Sequence, residues 1–433
     1  MQSNLITTLL ALVFYVASGL FGGNSPQNTV DPGNSNNYSS GTGYYRNSKF
    51  PLSGTVSGKQ ATLRGEPANN GEAIATMAAD SHLLILDEKN GFYFVQSDNH
   101  QGWVPAWMVS VRYSSRPNNH RKVVAGYYVE NYQNDPVGYQ SFSQNLNVIN
   151  TLIPFSFKVD QYGTISGSHN PKPVSLAHSS GASTLALVNN IQGSNFNSNM
   201  VHRLLSNQSA RTKAVNGILR IVLEKGYQGV NIDFENVPSK DRIYVTAFFQ
   251  ELAMALHAKN LLVTASLPAK TRDDFTSTHS GAFDYQKLAP YLDQVMIMTY
   301  DEHYSGGSAG PVASYPWVER VIKYTLKYFP ANKIVVGIAA YGYDWGLSGK
   351  ALNYKAIQKL ISSHKITPRW DFNARVPYFT YNNWGVKHQV WYEDRYSTAS
   401  KMQLVSKYGL RGVAVWRLGY EDPGIWDAIR KQL

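Results

Sequence analysis

At 433 residues, with 43% hydrophobic and 16% charged side chains, the chain is long enough for more than one domain and too apolar for a disordered polymer. Its net charge of +11 suits polyanionic surroundings, yet the basic residues are scattered without a sustained run, which argues against nucleic acid as a partner. With 0 cysteines, disulfides, thiolate metal sites and cysteine nucleophiles are excluded.

Residues 5–21 form an apolar run, and no charged side chain precedes Asp31. This is the pattern of an export signal or a short membrane anchor, with Val16-Ala17-Ser18-Gly19 as a small-residue cleavage site. We assign residues 1–22 to that segment and 23–50, rich in Asn, Ser, Gly and Pro, to a flexible linker. The expected location is therefore outside the cytoplasm, at a cell wall, spore or extracellular site, with membrane anchorage through residues 5–21 left open.

Between 51 and 112 the texture changes to short apolar runs at 54–56, 61–63, 83–86, 92–95 and 103–104, separated by turn residues. That spacing predicts a small all-β unit of five or so strands. Thr62-Leu63-Arg64-Gly65-Glu66-Pro67, Gly91-Phe92-Tyr93-Phe94-Val95 and Gly102-Trp103-Val104 resemble the successive signatures of the bacterial SH3-like domain. The resemblance implies docking on a wall polymer; a plain spacer is the alternative.

From 122 to 433 the chain repeats a strand-then-helix rhythm. Strands are predicted at 122–128, 151–157, 184–189, 229–235, 261–267, 294–300, 333–339 and 412–416. Val215, Ile218, Leu219 and Val222 share one helix face, and Val245, Phe248, Phe249, Leu252 and Leu256 share another. Eight strand signals with helical crossovers predict a (β/α)8 TIM barrel in the α/β class, with an open doubly wound sheet as runner-up. Residues from about 346 to 405 do not fit one crossover helix and read as a small α+β insertion between strands seven and eight.

The fourth strand carries the chemistry. In Gly229-Val230-Asn231-Ile232-Asp233-Phe234-Glu235 the apolar residues alternate with an amide and two carboxylates. A strand inside such a barrel is covered on both sides, so this polar face is costly unless bonded or used. Asp233 and Glu235 fall at its C-terminal end, where barrels place function. Neighbouring carboxylates raise one pKa and supply a proton donor beside an ionised group, as glycosidic cleavage requires. A merely structural buried pair is the bland alternative. The histidines show no ligand spacing, so neither a metal nor another cofactor is expected.

This stretch resembles the D-G-x-D-x-D-x-E signature of glycoside hydrolase family 18. Met298-Thr299-Tyr300-Asp301 resembles that family's sixth-strand motif, and Val415-Trp416 falls where its eighth strand supplies a tryptophan floor. Asn-Ile-Asp-Phe-Glu-Asn-Val at 231–237, Met-Thr-Tyr-Asp-Glu-His at 298–303, Gly-Pro-Val-Ala-Ser at 310–314 and Tyr-Gly-Tyr-Asp-Trp at 341–345 are similar to its spore-germination, cortex-lytic branch. The resemblance implies a retaining, substrate-assisted N-acetylglucosaminidase. Glu235 would be acid and base, Asp233 would orient the acetamide, Tyr300 would bond its carbonyl with Asp301 in support, and Trp416 would floor the sugar. Met298 and Glu302 border that motif as further candidates for substrate contact, though Glu302 with His303 reads equally as a loop ion pair.

Gln228 and Asn231 stand where the family signature has aspartates. Gln228 has the opposite strand parity to Asp233; Asn231 shares the catalytic face and is expected near substrate, where its neutrality predicts a shifted pH profile. The expected partner is peptidoglycan or another N-acetylglucosamine polymer, met by a monomer. Chitin as substrate and non-catalytic wall binding are the competing readings.

Overall fold

The computed structural model describes residues 52–56, 60–97, 100–112 and 122–433. The expected export segment and its linker lie outside the described residues, as do residues 113–121. Two compact units divide what is described, one on either side of the break between Arg112 and Lys122.

The larger unit is a closed barrel of eight parallel strands: β1 (Val123–Tyr128), β2 (Thr151–Pro154), β3 (Ser183–Asn189), β4 (Gly229–Asp233), β5 (Leu262–Pro268), β6 (Gln294–Met298), β7 (Ile334–Ala339) and β8 (Gly412–Trp416). Closure runs through β8 pairing with β1 and β2 pairing with β3. β1, β3 and β7 are almost wholly buried, as a strand with core on one face and helices on the other must be. Ala125, Tyr127, Leu185, Leu187, Met296, Val335 and Ala414 fill the interior.

Crossover helices start where a short polar side chain can take an orphan backbone N–H. Asp135 opens Pro136–Gln144, Asn207 opens Gln208–Glu224, and Ser314 opens Tyr315–Thr325. The face formed by Val215, Ile218 and Val222 packs inward as the periodicity predicts.

Three expected strands are shorter or interrupted, and β6 stops at Met298 rather than at residue 300. β2 is interrupted after Pro154; Phe157–Val159 resumes in parallel beside β3, with Phe157 opposite Val188, and pairs on its other side with Ile165–Gly167 in a hairpin. β4 stops at Asp233, so Glu235 stands on the loop beyond it, ahead of Asn236 in the left-handed region at φ 53°.

The insertion is an antiparallel sheet in the order Gly349–Asn353, Tyr341–Trp345, Val386–Tyr392, Val376–Asn383, Arg369–Asp371, backed by the helix Tyr354–Ser363. It begins at Tyr341, one residue past β7, and its sheet ends at Tyr392. These limits differ from 346–405 at both ends. The motif around Tyr341 is itself strand, and Arg395–Lys407 is the crossover helix into β8, packed on Tyr315–Thr325 and on Ile425–Arg430.

The smaller unit is one antiparallel sheet of seven strands in the order Ala73–Ala78, Gln60–Arg64, His100–Pro105, Phe92–Ser97, His82–Lys89, Leu52–Val56, Val109–Arg112. Leu63, Met77, Ile85, Tyr93, Val95 and Val104 form its core. Ala73–Ala78 escapes sequence detection because it buries only Met77.

Candidate active site

A cleft of about 220 Å³ opens at the C-terminal end of the barrel strands. Asp233, Glu235, Met298, Tyr300, Asp301 and Trp416 all line it, so six of the residues singled out from sequence meet in one place. Register explains the meeting. Asn189 lies opposite Asp233, Pro268 opposite Met298, and Ala339 opposite Trp416, each at or next to the last residue of its strand.

Glu235 is held by its backbone rather than its side chain. Asn190, just past β3, accepts from Glu235 N–H at 2.9 Å and donates through Nδ2 to Glu235 C=O at 2.8 Å. The loop is thus fixed while the carboxyl is left for the cleft. Trp416 presents its ring to the same space, edge to face with Tyr127 at 5.3 Å and Phe155 at 5.6 Å. Gly337 on β7 makes room for the neighbouring Tyr300, since a Cβ there would meet Tyr300 Cε1 at 2.8 Å and Ile297 O at 2.5 Å.

Among the described residues no cation pairs with Asp233, Glu235 or Asp301. Burial therefore acts on them unopposed by a positive charge. It pushes Asp233 up to about 7. It also pushes Glu235 well above the ordinary carboxyl range, with Asp233 and then Asp301 adding repulsion. Asp301 rises to about 6 through burial, moderated by two phenols. Those phenols are Tyr341 and Tyr343, which donate to Asp301 Oδ1 at 2.6 and 2.9 Å. Three interacting carboxyls in one cavity cannot all ionise near neutrality, so a proton is retained among them.

Two expected contacts lie elsewhere. Asn231 is fully buried, two residues before Asp233 and therefore one layer below the cleft. Its Oδ1 accepts from Ser266 Oγ at 2.9 Å, and its Nδ2 donates to Thr264 Oγ1 at 3.0 Å. Since Ser266 donates to Asn231, Tyr127 O–H donates to Ser266 across 2.8 Å, and Thr264 passes its own proton to Val230 C=O. Asn231 is thus bonded to Thr264 and Ser266 and does not line the cleft. Glu302 turns away from the cleft, where its Oε2 accepts from Ser314 N–H at 2.7 Å, and His303 bonds Ser308 C=O in the same loop. Gln228 bonds Thr184 at the opposite end of the strand, consistent with its parity.

The residues that sequence reasoning missed are Tyr127, Phe155, Phe196, Ser266, His279, Trp317, Tyr341 and Tyr343. A signal existed for some. Tyr341, Tyr343 and Trp345 alternate with period two, and Tyr127 and Ser266 sit near the ends of β1 and β5. Of the others, Phe196 lies on the short strand Asn195–Phe196, Trp317 in the first turn of Tyr315–Thr325, and Phe155 and His279 on connecting segments, none of which marks itself as cleft-lining by periodicity.

The sequence profile described as glycosyl hydrolases family 18 matches residues 123–421. An uncharacterized glycosylase of Bacillus subtilis, YvbX, is 32% identical over 314 residues, covering 71% of this chain and 91% of its own. Among solved structures, a chitinase from Chromobacterium violaceum shares 31% identity with a TM-score of 0.68, covering 72% of this chain and 99% of its own. The spore cortex-lytic enzyme SleL of Bacillus megaterium shares 25% with a TM-score of 0.67, covering 84% and 80%. The matched span contains the whole barrel and each cleft carboxyl, and the chain accordingly belongs to glycosyl hydrolases family 18.

Proposed function

We propose that this glycoside hydrolase cleaves β-1,4 bonds on the reducing side of N-acetylglucosamine in peptidoglycan, with spore cortex or its fragments as the favoured wall. The observation that carries the reading is Glu235, held protonated by burial and by Asp233 at the mouth of an aromatic cleft without a cation. Glu235 protonates the leaving oxygen, and the substrate's own acetamide oxygen attacks the anomeric carbon, so configuration is retained. Asp233 takes the acetamide N–H and balances the positive charge of the cyclic intermediate. Tyr300 bonds the acetamide carbonyl, and Trp416 gives the ring an apolar floor. Glu235, now ionised, accepts the proton of the incoming water.

The likeness to a cortex-lytic enzyme and the basic chain favour an anionic wall; the likeness to a chitinase keeps chitin as second reading. The SH3-like resemblance of the N-terminal β unit is read as wall docking, and the location as a spore or cell wall. Among the described residues no helix is long and apolar enough to cross a membrane.

The test is mass spectrometry of soluble products from spore cortex and vegetative peptidoglycan treated with wild type and Glu235→Gln. New reducing-end N-acetylglucosamine is expected from the wild type alone, with at least a thousandfold loss of rate in the variant. Release from chitin oligomers but from neither wall would replace this reading with a chitinase.

A further inference from the structure

A second concavity, a groove of about 340 Å³, lies on the barrel unit and plays no part in the chemistry above. Lys158, Asp160, Gln161, Tyr162 and Gln192 line it, with Met200 at its base. Two hairpins build it. One joins Phe157–Val159 to Ile165–Gly167 after β2, and the other joins Ile191–Gln192 to Asn195–Phe196 after β3. Both connections also serve the catalytic cleft, because Phe155 and Phe196 line it. Ile191 lines the groove and is directly paired with Phe196, so a single hairpin separates the two concavities.

The groove's charge is unlike the cleft's. Lys158 is exposed, and its side chain has no hydrogen bond or ion pair among the described residues. Arg203 and Lys213 brace the same hairpin through neutral acceptors, Gln161 Oε1 at 3.0 Å and Thr164 Oγ1 at 2.9 Å. Their charges are therefore left unbalanced. The one carboxylate, Asp160, already takes Tyr162 N–H and Thr164 N–H on Oδ1, at 2.9 and 2.8 Å. Gln161 and Gln192 supply amides suited to peptide groups, and the exposed Tyr162 ring stands at the rim. A neutral sugar chain gains nothing from such cations, whereas a carboxylate-bearing peptide gains a charge-assisted hydrogen bond.

We propose that this groove binds the carboxylate-bearing peptide branch of the glycan while the sugars occupy the adjoining cleft, with Lys158 as its main anchor. The inference rests on the peptidoglycan reading and deepens it. It makes recognition of the branch a matter of binding, separate from the chemistry at Glu235.

The experiment measures steady-state kinetics on soluble peptide-bearing glycan strands, on the same strands stripped of peptide by an amidase, and on chitin oligomers. Wild type is compared with Lys158→Glu and with Asp160→Asn, which keeps the acceptor for the two backbone N–H groups. Lys158→Glu is expected to raise KM about five- to tenfold on peptide-bearing strands with kcat unchanged, and to leave stripped strands unaffected. Asp160→Asn is expected to lower KM on the peptide-bearing strands alone, and added salt to raise it more there than on stripped strands, whose muramic lactyl groups each keep one carboxylate. Variants that change KM equally on both strands, or on neither, overturn the inference while leaving the cleavage reading intact. Cleavage of chitin oligomers with no cleavage of either wall strand overturns both.

Discussion

Two clusters of carboxyls in the barrel unit are provided for differently. At the root of the insertion, Glu393 meets Lys401 Nζ at 2.6 Å, Asp422 takes Arg395 through Nε at 2.9 Å and Nη2 at 2.7 Å, and Asp394 caps Arg395–Lys407. Burial alone would raise Asp422, yet the Arg395 bonds bring it below its ordinary value. In the cleft, Asp233 is buried and Glu235 and Asp301 are half-buried; two phenols donate to Asp301, and an asparagine-held loop carries Glu235. Burial thus raises Glu393 and Asp394 as it raises the cleft carboxyls, and only Asp422, held by Arg395, falls; what sets the cleft apart is that, among the described residues, none of its three carboxyls has an ion-pair partner.

Asp233→Asn is the sharpest way to break this contrast. We expect kcat to fall about a hundred- to thousandfold, the scale of losing one preorganised electrostatic partner. Stability should change in the opposite sense. Asp233 holds its proton up to about 7 when folded, against 3.8 as its ordinary value, so its contribution is full below 3.8 and is lost as pH rises through 7. The variant lacks that loss and should be more stable than wild type at pH 8, by up to roughly 4 kcal/mol, and equal to it near pH 3. Denaturant melts at both pH values decide the matter; a variant no more stable at pH 8 would remove Asp233 from the strained group.

Lys401→Met makes the complementary break. It leaves Glu393 buried without its cation and should cost about 3–5 kcal/mol of stability, while kcat and KM at 25 °C stay unchanged. Retained stability would mean that the scaffold group does not depend on its cation. Asn231→Asp puts a carboxylate into a fully buried position of the cleft group and should move the acid limb of the kcat/KM profile to higher pH. An unchanged profile would refute the idea that neutrality at 231 tunes Asp233. The smallest effect belongs to Tyr343→Phe, which removes one of two bonds that lower Asp301. Asp301 should rise further, with a loss in kcat/KM of about three- to tenfold.

These contrasts were only partly legible in the sequence. The alternation through Val230, Ile232 and Phe234 marks β4 because a strand's period is two, and Trp416 closes an equally clear β8. What alternation cannot convey is the partner of a carboxyl. The bonds to Asp301 come from Tyr341 and Tyr343, 40 and 42 residues away in sequence. Glu302 reads equally as a substrate contact or a loop ion pair in the string and proves to hold Ser314 N–H, because a backbone donor leaves no trace in residue identity. Glu235 reads as strand, yet Asn190 from the neighbouring strand end fixes it on a loop.

The attachment of the insertion bears on how the cleft can be redesigned. Tyr341 follows β7 after one residue, Ala340 N–H bonds Trp416 C=O at 2.8 Å, and Glu393 N–H bonds Tyr341 C=O at 3.1 Å. Both ends of the inserted segment are thereby fastened into the rim that carries Trp416, and its tyrosines reach back to Asp301. A chimera that exchanges only residues between Trp345 and Val386 keeps this fastening and alters the distal wall alone. One that cuts at β7 exchanges the acidity of Asp301 along with the wall, so grafts from a relative should carry the end of β6 and the inserted sheet together as one transplantable block.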